Sequence, residues 1–287
     1  MLKMEDLQFQ KLDLDGVKTL VKWAGLEGWN PGPCDAEVFN QTDPDGFYGY
    51  FRDGELIAGG SIVSYENEFG FMGFFIVLPE YRSLGIGRML WHQRRDTLVA
   101  RLNKGASIGM DGVVSMQSFY EKGGFQKAFR GIRYERIGTG FDLHENIAGI
   151  LEEDIPQVLD YDKRCFGFLR SKFMIPWLTL SGNKTFKYME DNMLKGFAVM
   201  RKVDKGYKIC PLFADHSLIA EELYKACLNA AVDEPVYLDI PEVNKEAQII
   251  IEKYNAEYVF ECARMYLGPV PQMEIDKIYG ITTFELG

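Results

Sequence analysis

The stretch from Phe75 to Arg88 holds the residue types and spacing best suited to chemistry. An apolar run, Phe75-Ile76-Val77-Leu78, stops at Pro79, and Arg82, Gly85 and Gly87 follow in the pattern R-x-x-G-x-G. Glycine lets the backbone approach an anion with no Cβ in the way. The first amides of a helix are unpaired and carry the positive end of its dipole. The spacing therefore predicts a strand, a turn and a helix that together seat a pyrophosphate, with Arg82 or Arg88 adding charge. A P-loop would need Gly-Lys-Ser/Thr, whereas Gly87 is followed by Arg88-Met89. The dinucleotide fingerprint needs a third glycine, and Leu90 stands there.

Other candidate chemistries fit less well. Gly105-Ala106-Ser107-Ile108-Gly109 matches the nucleophile elbow G-x-S-x-G, but that elbow must follow a strand and open a helix, and the order here is reversed. His92, His144 and His216 are far apart with no HExxH, so no metal site is expected. Asp35, Glu37, Asp43 and Asp45 lie in a loop that would border an acceptor, and Glu66 and Glu68 in a turn. All six read as solvated surface charge, and Glu80 after Pro79 carries no catalytic reading, so no general base is named. Trp29 either lines a pocket or anchors its loop.

The elements that must position the cradle follow from periodicity. Residues 7–12 alternate as a first strand, and Val17, Leu20, Val21 and Ala24 recur at helical spacing after Asp13. Residues 28–33 break that helix, and a long loop rich in Asp, Gly and Pro is expected up to Gly46. Strands at 47–51 and 55–65 are joined by Asp53-Gly54. A third strand, 70–78, is apolar nearly throughout, as a central strand covered on both faces should be. A helix from Gly85 to Leu102, a strand at 107–110, a helix at 116–122 and a closing strand at 125–137 complete the first half.

The second half reads as built on the same plan: helix 152–164, hairpin 186–188 and 196–200, strand 207–212, helix 216–231, strand 236–240, helix 245–254, strand 258–267. Tyr120-Glu121-Lys122 falls against Ile251-Glu252-Lys253 roughly 130 residues on, a spacing of tandem domains. The expected division is 1–138 and 139–287. In that alignment Arg82 becomes Asp215, Gly85 becomes Leu218, Gly87 becomes Ala220 and Tyr120 becomes Ile251. An acidic group is electrostatically wrong beside a pyrophosphate, so the second half is expected to close a substrate pocket or to fix the shape of the first half rather than bind the anion. The apolar run 279–287 reads as a docked strand that crosses back to the first half, bringing Glu285 or the terminal carboxylate to the acceptor site.

Composition sets limits on partners. The 287 residues carry a net charge of −10, which argues against nucleic acid and is compatible with a cationic amine. Apolar residues at 47% allow each half a real core. The five cysteines are widely spaced with no CxxC, as free thiols in a reducing compartment would be. No apolar run reaches membrane-spanning length, and the opening residues are too polar for a secretory leader. A cytoplasmic protein with no membrane partner is expected; an oligomer is compatible.

The Pro79–Gly87 pattern resembles the signature of the GNAT superfamily of N-acetyltransferases, within it bacterial proteins with two GNAT-like halves. The resemblance covers residues 7–137 well and the remainder loosely. It implies an α/β fold of two tandem GNAT-like acyl-CoA N-acyltransferase domains, each a mixed, mostly antiparallel sheet flanked by helices, the second degenerate. It also implies acetyl-CoA as co-substrate. The backbone of Ser83, Leu84, Gly85, Ile86, Gly87 and Arg88 would hold its pyrophosphate, and Phe75, Ile76 and Val77 its pantetheine arm.

Tyr120-Glu121-Lys122-Gly123-Gly124-Phe125 resembles the family's Y-E-K-x-G-F stretch, whose tyrosine faces the CoA sulfur. A phenol has a pKa near that of a thiol, which makes Tyr120 the candidate general acid; the alternative is that it only packs its helix on the sheet. Val113 stands where relatives carry Asn. The resemblance implies transfer of acetyl to a primary amine of a small molecule by direct attack in a ternary complex. The rival readings are an acyl-CoA-binding sensor or interaction protein without transfer, and transfer to a protein amine.

Overall fold

The computed structural model describes residues 6–287, in which thirteen strands form one continuous sheet. The first half contributes β1 (Gln8–Lys11), α1 (Leu14–Leu26), α2 (Asp35–Thr42), β2 (Phe47–Arg52), β3 (Glu55–Tyr65), β4 (Phe69–Val77), α3 (Ile86–Arg101), β5 (Ser107–Val113), α4 (Gln117–Lys122) and β6 (Gln126–Ile137). The second contributes β7 (Ile147–Ala148), α5 (Ile155–Phe166), α6 (Ser171–Thr179), β8 (Lys184–Glu190), β9 (Met193–Lys202), β10 (Tyr207–Ala214), α7 (Ser217–Asn229), β11 (Pro235–Pro241), α8 (Lys245–Lys253), β12 (Glu257–Leu267) and β13 (Ile278–Gly280). The fold is mixed α/β, with mostly antiparallel strands flanked by helices on both faces.

The strand order is β1-β2-β3-β4-β5-β12-β6-β11-β10-β9-β8-β7, with β13 against β10. The two halves therefore exchange strands: β12 lies between β5 and β6, and β6 between β12 and β11. This corrects the expectation that residues 125–137 close a sheet of the first half alone. Buried charges pin the exchanged register. Arg264 lies opposite Asp111 and Arg133 opposite Asp239, each joined by two hydrogen bonds of 2.6–2.8 Å. A one-residue slip would turn these groups to the other face and leave them unpaired, so only one alignment is tolerated.

Alternate residues of the strands build the two faces. On β4, Phe69 and Phe71 pack with α1, α2, α5 and α6, while Met72 packs with α3. On β9, Phe197 and Val199 join the first cluster, while Ala198 and Met200 pack with α7 and α8.

Two helices depart from the expected loops. Residues 35–42 form α2, whose Ala36, Val38 and Phe39 are buried, so Pro31-Gly32-Pro33 and Asp43-Pro44-Asp45-Gly46 flank a helix rather than fill a loop. α6 contains Pro176 and buries Phe173, Met174 and Trp177. Two of the carboxylates read as solvated are not. Asp35 is 2% exposed and pairs with Arg201 at 2.7 Å, and Asp43 takes two hydrogen bonds from Arg101.

Candidate functional site

β4 and β5 run parallel and pair only from Phe69↔Ser107 to Met72↔Met110. Beyond Met72 the two strands part. On the other side of β4, Gly59 pairs with Ile76 but Ser61 with Gly73, so β4 holds one extra residue there. The bulge lies at Phe74, whose φ is 47°. A bulge needs a support, and Arg94 of α3 supplies it. Its guanidinium donates to the carbonyls of Ser61 and, at 2.7 Å, Gly73. Only glycine at position 60 leaves room for it, since a Cβ there would collide with the guanidinium. Arg94 is 1% exposed with no carboxylate partner among the described residues, and burial pulls its pKa down to about 9. Ile86, Leu90, Arg94 and Leu98 continue one buried stripe at four-residue spacing.

The parted strands open a groove of about 440 Å³. Phe75, Ile76 and Val77 line it, and so do Arg82, Ser83, Gly87 and Arg88 from the turn and the first turn of α3. Gly85 caps that helix at φ 84°, a left-handed conformation natural to glycine, and no side chain satisfies the helix's first amides. No acidic residue stands in the first turn. Donors and dipole thus face the groove together, an arrangement suited to an anion. Leu84 is exposed and the side chain of Ile86 is in the core, and neither these two nor Gly85 lines the groove. Arg82 donates to the Val77 carbonyl at 2.9 Å and pairs with Glu27, the residue that caps the C-terminus of α1 and also lines the groove.

At its inner end the groove meets a smaller, partly open chamber of about 70 Å³; Trp29, Phe75, Val113 and Met116 border both spaces. Tyr120 lines the chamber rather than the groove, 4% exposed and packed on Trp91 with centroids 4.9 Å apart. Burial raises its phenol pKa, and the nearby Arg94 charge opposes that shift. The chamber also takes residues from the second half: Phe260 and Cys262 of β12, and Phe284 and Glu285 of the tail. Burial holds the Cys262 thiol well above its usual range, so it stays protonated. Arg94, Asp111, Arg133 and Cys262 were not singled out from sequence. For Arg94 the signal was present, a charge within an apolar helical stripe. For the others it lay in strands whose neighbours are distant in sequence.

The second half has the same divergence, but it is filled. β10 and β11 pair in parallel only from Tyr207↔Val236 to Ile209↔Leu238. Past that point β13 enters, pairing Gly280 with Leu212, and Ile281 donates to the Asp239 carbonyl at 2.7 Å. Asp215, aligned with Arg82, accepts from Tyr161 and pairs with Lys277 at 3.1 Å. The tail then runs to the first half, buried throughout residues 278–287.

Two family models match this chain: the acetyltransferase (GNAT) family over residues 14–125 and an acetyltransferase (GNAT) domain over residues 158–280. The chain belongs to the GNAT acyltransferase family. Both halves carry the fold, and the open divergence in the first half occupies the cradle's side of the molecule. Among its relatives, a holothin acyltransferase of Pseudoalteromonas is 29% identical over 275 residues, covering 93% of this chain and 90% of that one. A Pyrococcus horikoshii structure assigned provisionally as an acetyltransferase superposes with a TM-score of 0.84 at 24% identity, covering 100% and 98% of the two chains. A tandem GNAT protein from the clavulanic acid biosynthesis pathway gives 0.64 at 14% identity, covering 92% and 99%. These two likenesses concern the GNAT fold. Among the described residues, no helix is long and apolar enough to cross a membrane.

Proposed function

We propose that this GNAT protein transfers acetyl from acetyl-CoA to a primary amine of a small molecule, by direct attack within a ternary complex in the cytoplasm. The observation that carries the reading is the joined pair of spaces: a groove with helix amides and arginines at one end, meeting a smaller apolar-walled chamber at the other. In this reading the backbone of residues 83–88 holds the pyrophosphate, Arg88 adds charge, and Arg82 adds charge once the anion replaces Glu27 as its partner. The strand edge at Phe75, Ile76 and Val77 binds the pantetheine arm and brings the thioester to the bulge. The amine nitrogen attacks the thioester carbonyl, the C–S bond breaks, and Tyr120 protonates the departing thiolate. The raised pKa of Tyr120 keeps the phenol protonated and ready to donate, although it makes it a reluctant acid.

In this account residues 1–138 carry the cofactor site, while residues 139–287 supply a wall of the acceptor chamber. The filled divergence between β10 and β11 supports a single acyl-CoA site. The relative named for acyl transfer to holothin supports transfer to a small molecule over a sensor that only binds. The small volume of the chamber supports it over a protein amine, which would need room for a polypeptide segment. Incubation with acetyl-CoA and a panel of amines, following release of the CoA thiol, tests the proposal. Amine-dependent release supports it; tight acetyl-CoA binding with no release from any amine or peptide leaves the sensor.

A further inference from the structure

The groove accounts for a cofactor, and the chamber beyond it is shaped for something narrower than amines in general. Its walls include Trp29, Phe74, Phe260, Phe284, Met72 and Met110. At roughly 10–15 Å³ for each water-sized position, about 70 Å³ suits one ring or a short chain. Among such walls a free charge has weight. Asp111 is tied to Arg264 and Arg133 to Asp239. Glu285 differs: it is 6% exposed, and its backbone carbonyl accepts from Ser61 Oγ at 3.4 Å. Among the described residues no hydrogen bond or ion pair engages its carboxylate.

The charges around Glu285 come from every element packed near it: Asp35 on α2, Asp111 on β5, Arg133 on β6, Arg201 on β9 and Lys208 on β10, with the Cys262 thiol on β12. Asp35 neutralises Arg201, and Asp239 neutralises Arg133. Lys208 remains as a counter-charge that makes no ion pair with Glu285, its Nζ 3.4 Å from the Asn30 carbonyl. The segment that carries Glu285 is fixed on both sides. Arg170 donates to Thr282 Oγ1 and to the Gly287 carbonyl at 2.7 Å each, and Tyr65 OH donates to the Leu286 carbonyl at 2.8 Å. Such holding of a catalytic group by its neighbours is what a preorganised site requires.

We propose that Glu285 receives the acceptor, binding its ammonium and taking a proton from it, and that the acceptor is a small primary amine with an apolar, ring-sized body. This rests on the acyl-CoA reading of the groove. The ammonium gives one proton to the Glu285 carboxylate, which later releases it to solvent. The nitrogen lone pair forms the new C–N bond at the thioester carbon. As the C–S bond breaks, its electron pair leaves on sulfur, and the second proton lost by nitrogen ends on the CoA thiol. The second half thus delivers the base, and the first half delivers the cofactor.

The test uses the full chain, acetyl-CoA, and benzylamine beside spermidine and glucosamine. The proposal expects benzylamine to be acetylated in preference to the two polar amines. Glu285→Gln should lower kcat/KM for benzylamine on the order of 10²–10⁴-fold, with Glu285→Asp partly restoring it, while the acetyl-CoA Kd stays at the wild-type value in both variants. Glu285→Gln turning over within threefold of wild type overturns the role of Glu285. Preference for spermidine or glucosamine, or no turnover of benzylamine by a wild type that binds acetyl-CoA, overturns the acceptor class. A wild type that binds no acetyl-CoA removes the underlying reading instead.

Discussion

Replacing Lys208 with Met perturbs the charge balance beneath the chamber in a way that can be worked through. Lys208 is 2% exposed, and burial, reinforced by Arg133 and Arg201, lowers its pKa from 10.5 to about 8. The attractions of Asp239 and Glu285 oppose that shift and are outweighed. A folded-state value below the unfolded one means the unfolded chain binds the proton more tightly. Stability therefore rises with pH between about 8 and 10.5 and is lowest below 8. At about 1.4 kcal/mol per pKa unit, keeping Lys208 charged in the fold costs about 3 kcal/mol at pH 7 and about 1 kcal/mol at pH 10. Met has nearly the same length and no charge to bury. Urea unfolding followed by tryptophan fluorescence at both pH values should find Lys208→Met the more stable protein, by a margin that shrinks as pH rises. A margin independent of pH, or a less stable variant at pH 7, would refute the reasoning.

Three further predictions bear on the seam and the site. Asp35→Ala strands Arg201, which is 2% exposed, and should cost about 3–5 kcal/mol in urea unfolding; a loss under about 1 kcal/mol would contradict the pairing of the halves through these residues. Tyr120→Phe removes a buried hydroxyl that makes no hydrogen bond among the described residues. It should leave the thermal midpoint and the acetyl-CoA Kd near wild type while kcat falls about 10²-fold; an unchanged kcat would leave Tyr120 as packing alone. Residues 1–138 expressed alone lack β12 between β5 and β6, leaving two open strand edges, and should aggregate unless residues 139–287 are supplied. A folded, monomeric 1–138 by circular dichroism and light scattering would count against the exchange.

Much of the cradle was legible in sequence because its determinants are local. An apolar strand ending at Pro79 and two glycines before an amphipathic stretch specify the strand, turn and helix without reference to the rest of the chain. The docking of residues 279–287 was legible too, from their apolar character, although only residues 278–280 form a strand and the rest packs as an irregular tail with Glu285 lining the chamber. What was hidden depends on distant partners. β6 and β12 have no local feature that says which strands they pair with; that is decided by Arg133 meeting Asp239 and Arg264 meeting Asp111. Asp35 looks solvated until Arg201, 166 residues away, is seen beside it. α2 was masked by the turn residues at both its ends, and α6 by its internal Pro176. The Asp215 alignment anticipated a second half without a cradle, but not that β13 would fill the divergence itself.

The central claim, that the groove between β4 and β5 is an acyl-CoA site, is tested most directly by calorimetric titration of acetyl-CoA into the wild type and Gly87→Glu. A Cβ at Gly87 meets Val77 and Phe75 at 3.5 and 3.6 Å, ordinary contact distances, so the variant should keep its fold while placing a carboxylate in the groove. The account predicts micromolar binding by the wild type and its loss in the variant. No binding by the wild type, or equal binding by both, would contradict it.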